Sequence, residues 1–135
     1  MTSGYSGTTL AKKLSIKDGM RVWFDGMPDS VRDEIASSGI VLSEEVVPTP
    51  GIHSAHAFVT ERADLEKKNR LLEKLIDRAG MIWLSWPKKT SKVPTDITED
   101  VIRDVALPMH LVDVKVCSVD DIWSGLKLVI RREYR

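Results

Sequence analysis

The sequence predicts an α/β fold: a mainly parallel sheet of about six strands, three layers deep with helices on both faces, ending in an antiparallel hairpin. Three observations predict it. Residues 81–86 form an apolar run, interrupted only by Ser85, between a long amphipathic pattern and a capped helix start, as expected of a central strand covered on both sides. Strand-like and helix-like segments alternate along the chain, the pattern of parallel strands joined by crossover helices. Two final strand patterns, 112–119 and 126–130, are separated by too few residues for a crossover, so they pair antiparallel.

Residues 2–9, rich in Ser, Thr and Gly, read as an irregular arm. Residues 10–16 read as a short helix with Leu10, Ala11 and Leu14 inward, so that 1–15 packs as an arm and helix on a single domain spanning 1–135. Asp18-Gly19 is a turn signal before a first strand at 20–24. Pro28 suits the first turn of a helix whose stripe is Val31, Ile35 and Ala36 and whose end is Gly39. Residues 40–47 read as a second strand, with Glu44 and Glu45 placing it near a sheet edge. A loop at Pro48, Pro50 and Gly51 leads to a short third strand at 55–60.

The clearest helix spans 61–79. Leu65, Leu72, Leu75, Ile76 and Ala79 share a face, acids stand early and bases late, and Gly80 ends it. After strand 81–86 comes a Lys- and Thr-rich loop, then a helix capped by Thr98 with Ile97 and Ile102 as a hydrophobic staple, stopped by Pro108. Trp123, Ser124 and Gly125 fall in the connection of the closing hairpin. The order is β-α-β-β-α-β-α-β-β.

Lys+Arg 20 against Asp+Glu 20 leaves a formal net charge of +0, so no bulk field favours nucleic acid or an acidic membrane. The single cysteine, Cys117, excludes an intrachain disulfide and a cysteine zinc cage, and its strand context predicts a buried, inert thiol. The amino terminus has no apolar h-region and no run reaches the length of a membrane span, so a cytoplasmic setting is expected. His53, His56 and His110 share no helical face, and no metal site is expected. Walker, G-x-G-x-x-G, G-x-S-x-G and H-E-x-x-H patterns are absent, so no catalytic residue is assigned. A general base could come from Asp96, Glu99, Asp100, Asp120 or Asp121, although acids opening a helix are expected on dipole grounds alone.

This element order resembles the Rossmann-like fold of S-adenosylmethionine-dependent methyltransferases, and LSIKDGMRV is similar to the lead-in of those enzymes. On that analogy one strand–helix unit is missing between residues 47 and 55, and the strands run second, first, third, fourth, sixth, fifth. More specifically, the chain resembles an uncharacterised bacterial domain-of-unknown-function family. The matching motifs are Ser6-Gly7-Thr8 with Leu10 to Leu14, Trp86-Pro87-Lys88-Lys89, Thr95-Asp96 with Thr98-Glu99-Asp100, Val112 to Cys117, and Trp123 to Lys127. That resemblance implies no established activity. Methyltransferases carry a glycine-rich cofactor loop after the first strand, where the backbone approaches the ligand; here the loop is Asp25-Gly26-Met27-Pro28-Asp29. Glu44 or Glu45 stands where the resemblance implies an acid for the cofactor ribose.

Lys88, Lys89 and Lys92 are placed at the carboxyl edge of the sheet beside the amino end of the helix at Thr98, where they are either solvated loop charges or an anion site. Lys12 and Lys13 join it if the amino-terminal segment folds over that edge. Trp83 and Trp86 face opposite sides of their strand, and Trp123 either packs in the hairpin or lines a pocket. The family motifs add Ser6, Thr8, Trp86, Thr95, Asp96, Ser124 and Lys127 to the ligand-binding set. The function expected is a small non-catalytic binding module for an anionic small molecule or a protein, with nucleic acid not favoured by the net charge and with no membrane or metal. The alternatives are an atypical methyltransferase with S-adenosylmethionine as cofactor, and a protein-interaction subunit.

Overall fold

The computed structural model describes residues 8–135. Its centre is a six-stranded sheet built from β1 (Arg21–Asp25), β2 (Ser43–Glu44), β3 (Ile52–Phe58), β4 (Ile76–Pro87), β5 (Leu111–Ser118) and β6 (Trp123–Ile130). The order is β2-β1-β3-β4-β6-β5, the one that the resemblance to methyltransferases implies. The first four strands run parallel, and β6 lies antiparallel between β4 and β5.

Two apolar layers sandwich this sheet. Beneath α3 (Arg62–Leu75) and α4 (Glu99–Ala106) lie Ile82, Leu84 and Trp86 of β4 with Leu126 and Leu128 of β6. On the other face α1 (Leu10–Lys13) and α2 (Asp29–Ala36) cover Met81 and Trp83, together with Phe58, Met27 and Val119. Successive β4 residues feed the two layers in turn, which is why the segment is apolar without alternation. Helix starts follow the expected chemistry. Pro28 stands one position ahead of the first turn of α2, as an N-cap without a side-chain bond, while the Thr98 hydroxyl accepts the Val101 N–H at 3.2 Å with Ile97 and Ile102 both buried.

The larger differences from the sequence reading fall in four places. The second strand shrinks to Ser43–Glu44, both exposed, because it has a neighbour on one side only; Val41, Val46 and Val47 stand in solvent. The third strand starts at Ile52, three residues earlier than 55. Helix α3 stops at Leu75 because Ile76 turns to extended backbone and pairs with Ile52. The ladder then jumps to Ser54 opposite Met81, so the residues between bulge out of register. Gly80 belongs to that bulge and not to a helix end. A Cβ there would stand 2.8 Å from the His53 carbonyl oxygen and 3.0 Å from that of Asp77. Finally, β6 begins at Trp123. The Asp120 carboxylate accepts the N–H groups of Ile122 and Trp123, at 2.8 and 2.7 Å, and so compresses the turn and frees Trp123, Ser124 and Gly125 to enter the ladder.

Candidate functional site

Strand β4 leaves the carboxyl edge of the sheet at Pro87 and enters a 3-10 turn, Lys89–Ser91. The turn is pinned from both sides. The Lys88 N–H donates to the Ile122 carbonyl oxygen at 2.7 Å, and the Ser91 hydroxyl donates to the Lys88 carbonyl oxygen at 2.6 Å. Lys92 then adopts left-handed backbone (φ 60°), swinging the chain back toward α4. The result is a cavity of about 560 Å³ lined by Trp86, Lys88, Lys89, Lys92, Thr98 and Ser124. Trp86, nearly buried, supplies an apolar wall, and the first turn of α4 brings N–H groups and the positive end of its dipole to the opposite side.

Among the described residues no carboxylate pairs with Lys88, Lys89 or Lys92. The Lys88 ammonium donates to the Ser118 hydroxyl at 2.6 Å, a neutral partner. Glu99 also lines the cavity, but its carboxylate is held by Arg103, which bonds Asp113 at 2.8 Å as well. Those bonds raise the Arg103 guanidinium pKa, through Asp113 first and then Glu99. Net positive potential therefore faces the cavity. Ser118 was not singled out by the sequence reading; with the hairpin register known, its place opposite Ser124 would have identified it.

The other expected residues are dispersed. Thr95 and Asp96 fasten the loop to α3: the Thr95 hydroxyl donates to the Thr60 carbonyl oxygen at 2.6 Å, and the Asp96 carboxylate accepts the Arg62 N–H at 2.7 Å. Asp96 thus caps a helix whose own N-cap, Glu61, makes no side-chain cap bond. Thr95 also reaches the cavity wall. Trp123 lies in the opposite layer, edge-to-face on Phe58 with centroids 5.1 Å apart. Lys12 and Lys13 ride on α1, across the sheet from the cavity, as does Lys127, whose ammonium donates to the Ser15 hydroxyl at 3.2 Å. Thr8 is exposed ahead of α1, and Ser6 lies outside the described residues.

At the β1–α2 turn, where the resemblance puts a cofactor, the side chains are engaged within the fold. Gly26 takes φ +68°, with its Cβ direction 3.4 Å from the Phe58 carbonyl oxygen, and Met27 is buried in the α1–α2 layer. The Asp25 carboxylate pairs with Lys68 at 2.7 Å, and Lys68 also reaches Asp64 at 3.0 Å. Burial works against the Lys68 ammonium, but the bonds to Asp25 and Asp64 outweigh it and raise its pKa. Glu44 pairs with Arg32, and Glu45 lies 3.6 Å from Arg21. Each acid placed to meet a ribose is thereby answered by an arginine.

His56 lies at the centre of β3, fully buried, with Nε2 2.7 Å from the Ser85 hydroxyl and its ring stacked on Phe58 at 4.5 Å. Burial pushes its pKa down to about 3, so the ring is neutral in the folded protein at ordinary pH. Cys117 is half-buried; burial raises its thiol pKa, partly opposed by Lys115 and Lys13. Among the described residues no three His, Cys, Asp or Glu side chains gather as a metal site, and no helix is long and apolar enough to cross a membrane.

Comparison with protein-family models and with curated proteins returns no match. Solved structures do match. A SAM-dependent methyltransferase from Aquifex aeolicus aligns with TM-score 0.61 at 14% identity, over 90% of this chain and 87% of that one. Aeropyrum pernix fibrillarin, solved with natively bound S-adenosyl-L-methionine, aligns with TM-score 0.55 at 12% identity, over 90% and 72%. The [4+2]-cyclase SpnF aligns with TM-score 0.58 at 7% identity, over 90% and 79%. At such identities the likeness is one of fold: the chain has the Rossmann-like α/β fold of methyltransferases, closed by the antiparallel β4-β6-β5 arrangement.

Proposed function

We propose that the chain is a non-catalytic binding module on a methyltransferase-like fold, holding an anionic ligand in the cavity at the carboxyl end of β4. The carrying observation is the convergence of Lys88, Lys89 and Lys92 without a carboxylate partner on the first turn of α4, around about 560 Å³. Lysines and helix N–H groups recognise phosphate oxygens, while Trp86 offers an apolar surface for an organic group. The reading is supported against methyl transfer by Met27, buried where a bare glycine loop is expected, and by the pairing of Asp25, Glu44 and Glu45 with bases. The fold itself speaks for neither, since a [4+2]-cyclase shares it.

The test is thermal unfolding with pyrophosphate, nucleotides, RNA and S-adenosylmethionine, each added to the wild type and to a Lys89→Glu/Lys92→Glu variant. A ligand at about a hundred times its Kd stabilises the native state by about 2.7 kcal/mol. Stabilisation by a phosphate-bearing small molecule, lost in the variant, is the expected result. Stabilisation by S-adenosylmethionine, unchanged in the variant, would replace this reading with an enzyme.

A further inference from the structure

We propose a second anion site, distinct from the β4 cavity and suited to a small phosphate-bearing molecule, between α1 and the amino-terminal rim of the sheet, with Lys17, Lys127, Ser15 and His53 as donors. It lies toward the other end of β4 and on the other face. Lys127 stands opposite Trp83 in β6, between buried Leu126 and Leu128, so a charged side chain rises between two core residues. Lys115 of β5 stands opposite Lys127, a like-charge cross-strand pair that destabilises a sheet. Lys17 arrives from the segment leaving α1 and completes the group.

The ammonium groups rest on neutral oxygens. Lys127 donates to the Ser15 hydroxyl, and Lys115 to the Lys13 carbonyl oxygen at 2.8 Å. Among the described residues none of Lys17, Lys115 and Lys127 is ion-paired. Burial lowers the Lys127 pKa most, and the positive charges of Lys115 and Lys17 lower it further. A structural lysine at such a place would be expected to carry a carboxylate.

A cavity of about 300 Å³ opens beside it, lined by Ser15, Lys17, His53 and Lys127 with Met20 and Met81 as apolar walls. The His53 Nδ1 accepts the Arg21 N–H at 2.9 Å, so the neutral ring carries its proton on Nε2 and is a donor. The acid on the wall, Asp77, is turned to its own loop, where its carboxylate accepts the Ala79 N–H at 3.0 Å. Two ammonium groups, a hydroxyl and an imidazole N–H match the several acceptor oxygens of a phosphate, and the methionines give its organic part a dry wall.

The experiment is amide and imidazole NMR with inorganic phosphate and glycerol 3-phosphate, using chloride at equal ionic strength as the control. Saturable shifts at His53, Ala79, Gly80 and Lys127 are expected, with affinity about tenfold weaker in Lys127→Met and in Lys17→Gln, each of which removes a charge-assisted bond. The Lys89→Glu/Lys92→Glu variant should retain them, which separates this site from the β4 cavity. Lys17 is exposed, so its variant carries the test even if Lys127→Met folds poorly. Shifts no larger than those of chloride, or undiminished in the variants, overturn the proposal.

Discussion

The Trp83 indole N–H donates to the Leu14 carbonyl oxygen at 2.9 Å, joining the centre of β4 to the C-cap of α1 across 69 residues of sequence. A four-residue helix has no stability of its own, so α1 exists because the sheet holds it. Buried Leu10 and Leu14 supply the apolar part of that hold, and the indole bond fixes its register. Trp83→Phe should cost about 1–3 kcal/mol from the orphaned carbonyl alone, before any loss of packing. Urea unfolding measures the total. Hydrogen exchange should show protection of the Leu14 to Ile16 amides falling more than that of β3; equal falls would mean that Trp83 only fills space.

Gly80 is fixed by crowding, since its φ is ordinary. Two backbone oxygens and the Ile76 side chain, at 2.9 Å, occupy the place of a Cβ, and backbone cannot step aside as a flexible side chain can. Gly80→Ala should therefore destabilise by about 1–3 kcal/mol, the range of overpacked cores. At Gly39, with open space but φ +82°, alanine should cost about 1 kcal/mol through backbone strain alone. Thermal unfolding of the two variants compares a steric with a conformational cause.

What was legible in the sequence follows from what one dimension records. The apolar continuity of β4 reports burial on both faces, and the short link before β6 reports antiparallel pairing; the order across the sheet came only through the resemblance to methyltransferases, because neighbouring parallel strands are set by contacts between distant residues. The end of α3 was not legible, because Ile76 and Ala79 extend the helical period while the pairing that stops the helix, Ile76 with Ile52, is a contact between distant residues. The β2 segment looks like a strand by its valines, yet nothing local says that no layer covers them. At the site, Lys88, Lys89 and Lys92 needed only the exit point of β4. Lys127 needed the parity of β6. Starting that strand at Trp123 puts Lys127 on the α1 face, three residues from Ser124 and on the opposite side. Whether α1 lies over one face or the other is set by tertiary packing, which the positions of Lys12 and Lys13 do not encode.

Met27 separates the two readings of the β1–α2 turn. It is 8% exposed and packs in one layer with Phe58, Trp83 and Val119. As a core residue, its truncation in Met27→Ala should cost about 2–5 kcal/mol. A side chain that merely plugs a cofactor cleft would instead be removed at little cost, and S-adenosylmethionine would then raise the melting temperature of the variant. Denaturation with and without the cofactor reads both quantities on the same sample.

His56 sets the acid limb of stability. Its unfolded pKa of 6.5 falls to about 3 in the fold through burial, so between those values the unfolded chain binds a proton that the native chain does not. Stability contributed by the neutral ring is complete above pH 6.5 and drains as the pH drops, by up to about 1.4 kcal/mol per pH unit for one proton. Asp113 works in a lower window that overlaps only the acid end of the His56 one: its pKa is lowered chiefly by the Arg103 hydrogen bond, so its contribution is lost only as the pH falls below its ordinary 3.8. His56→Gln keeps a hydrogen-bonding side chain beside Ser85 and removes the titration. Urea unfolding across the acid range should give the variant the shallower slope, its deficit against wild type narrowing as the pH falls from 6.5. Parallel slopes would mean that the acid sensitivity originates outside β3.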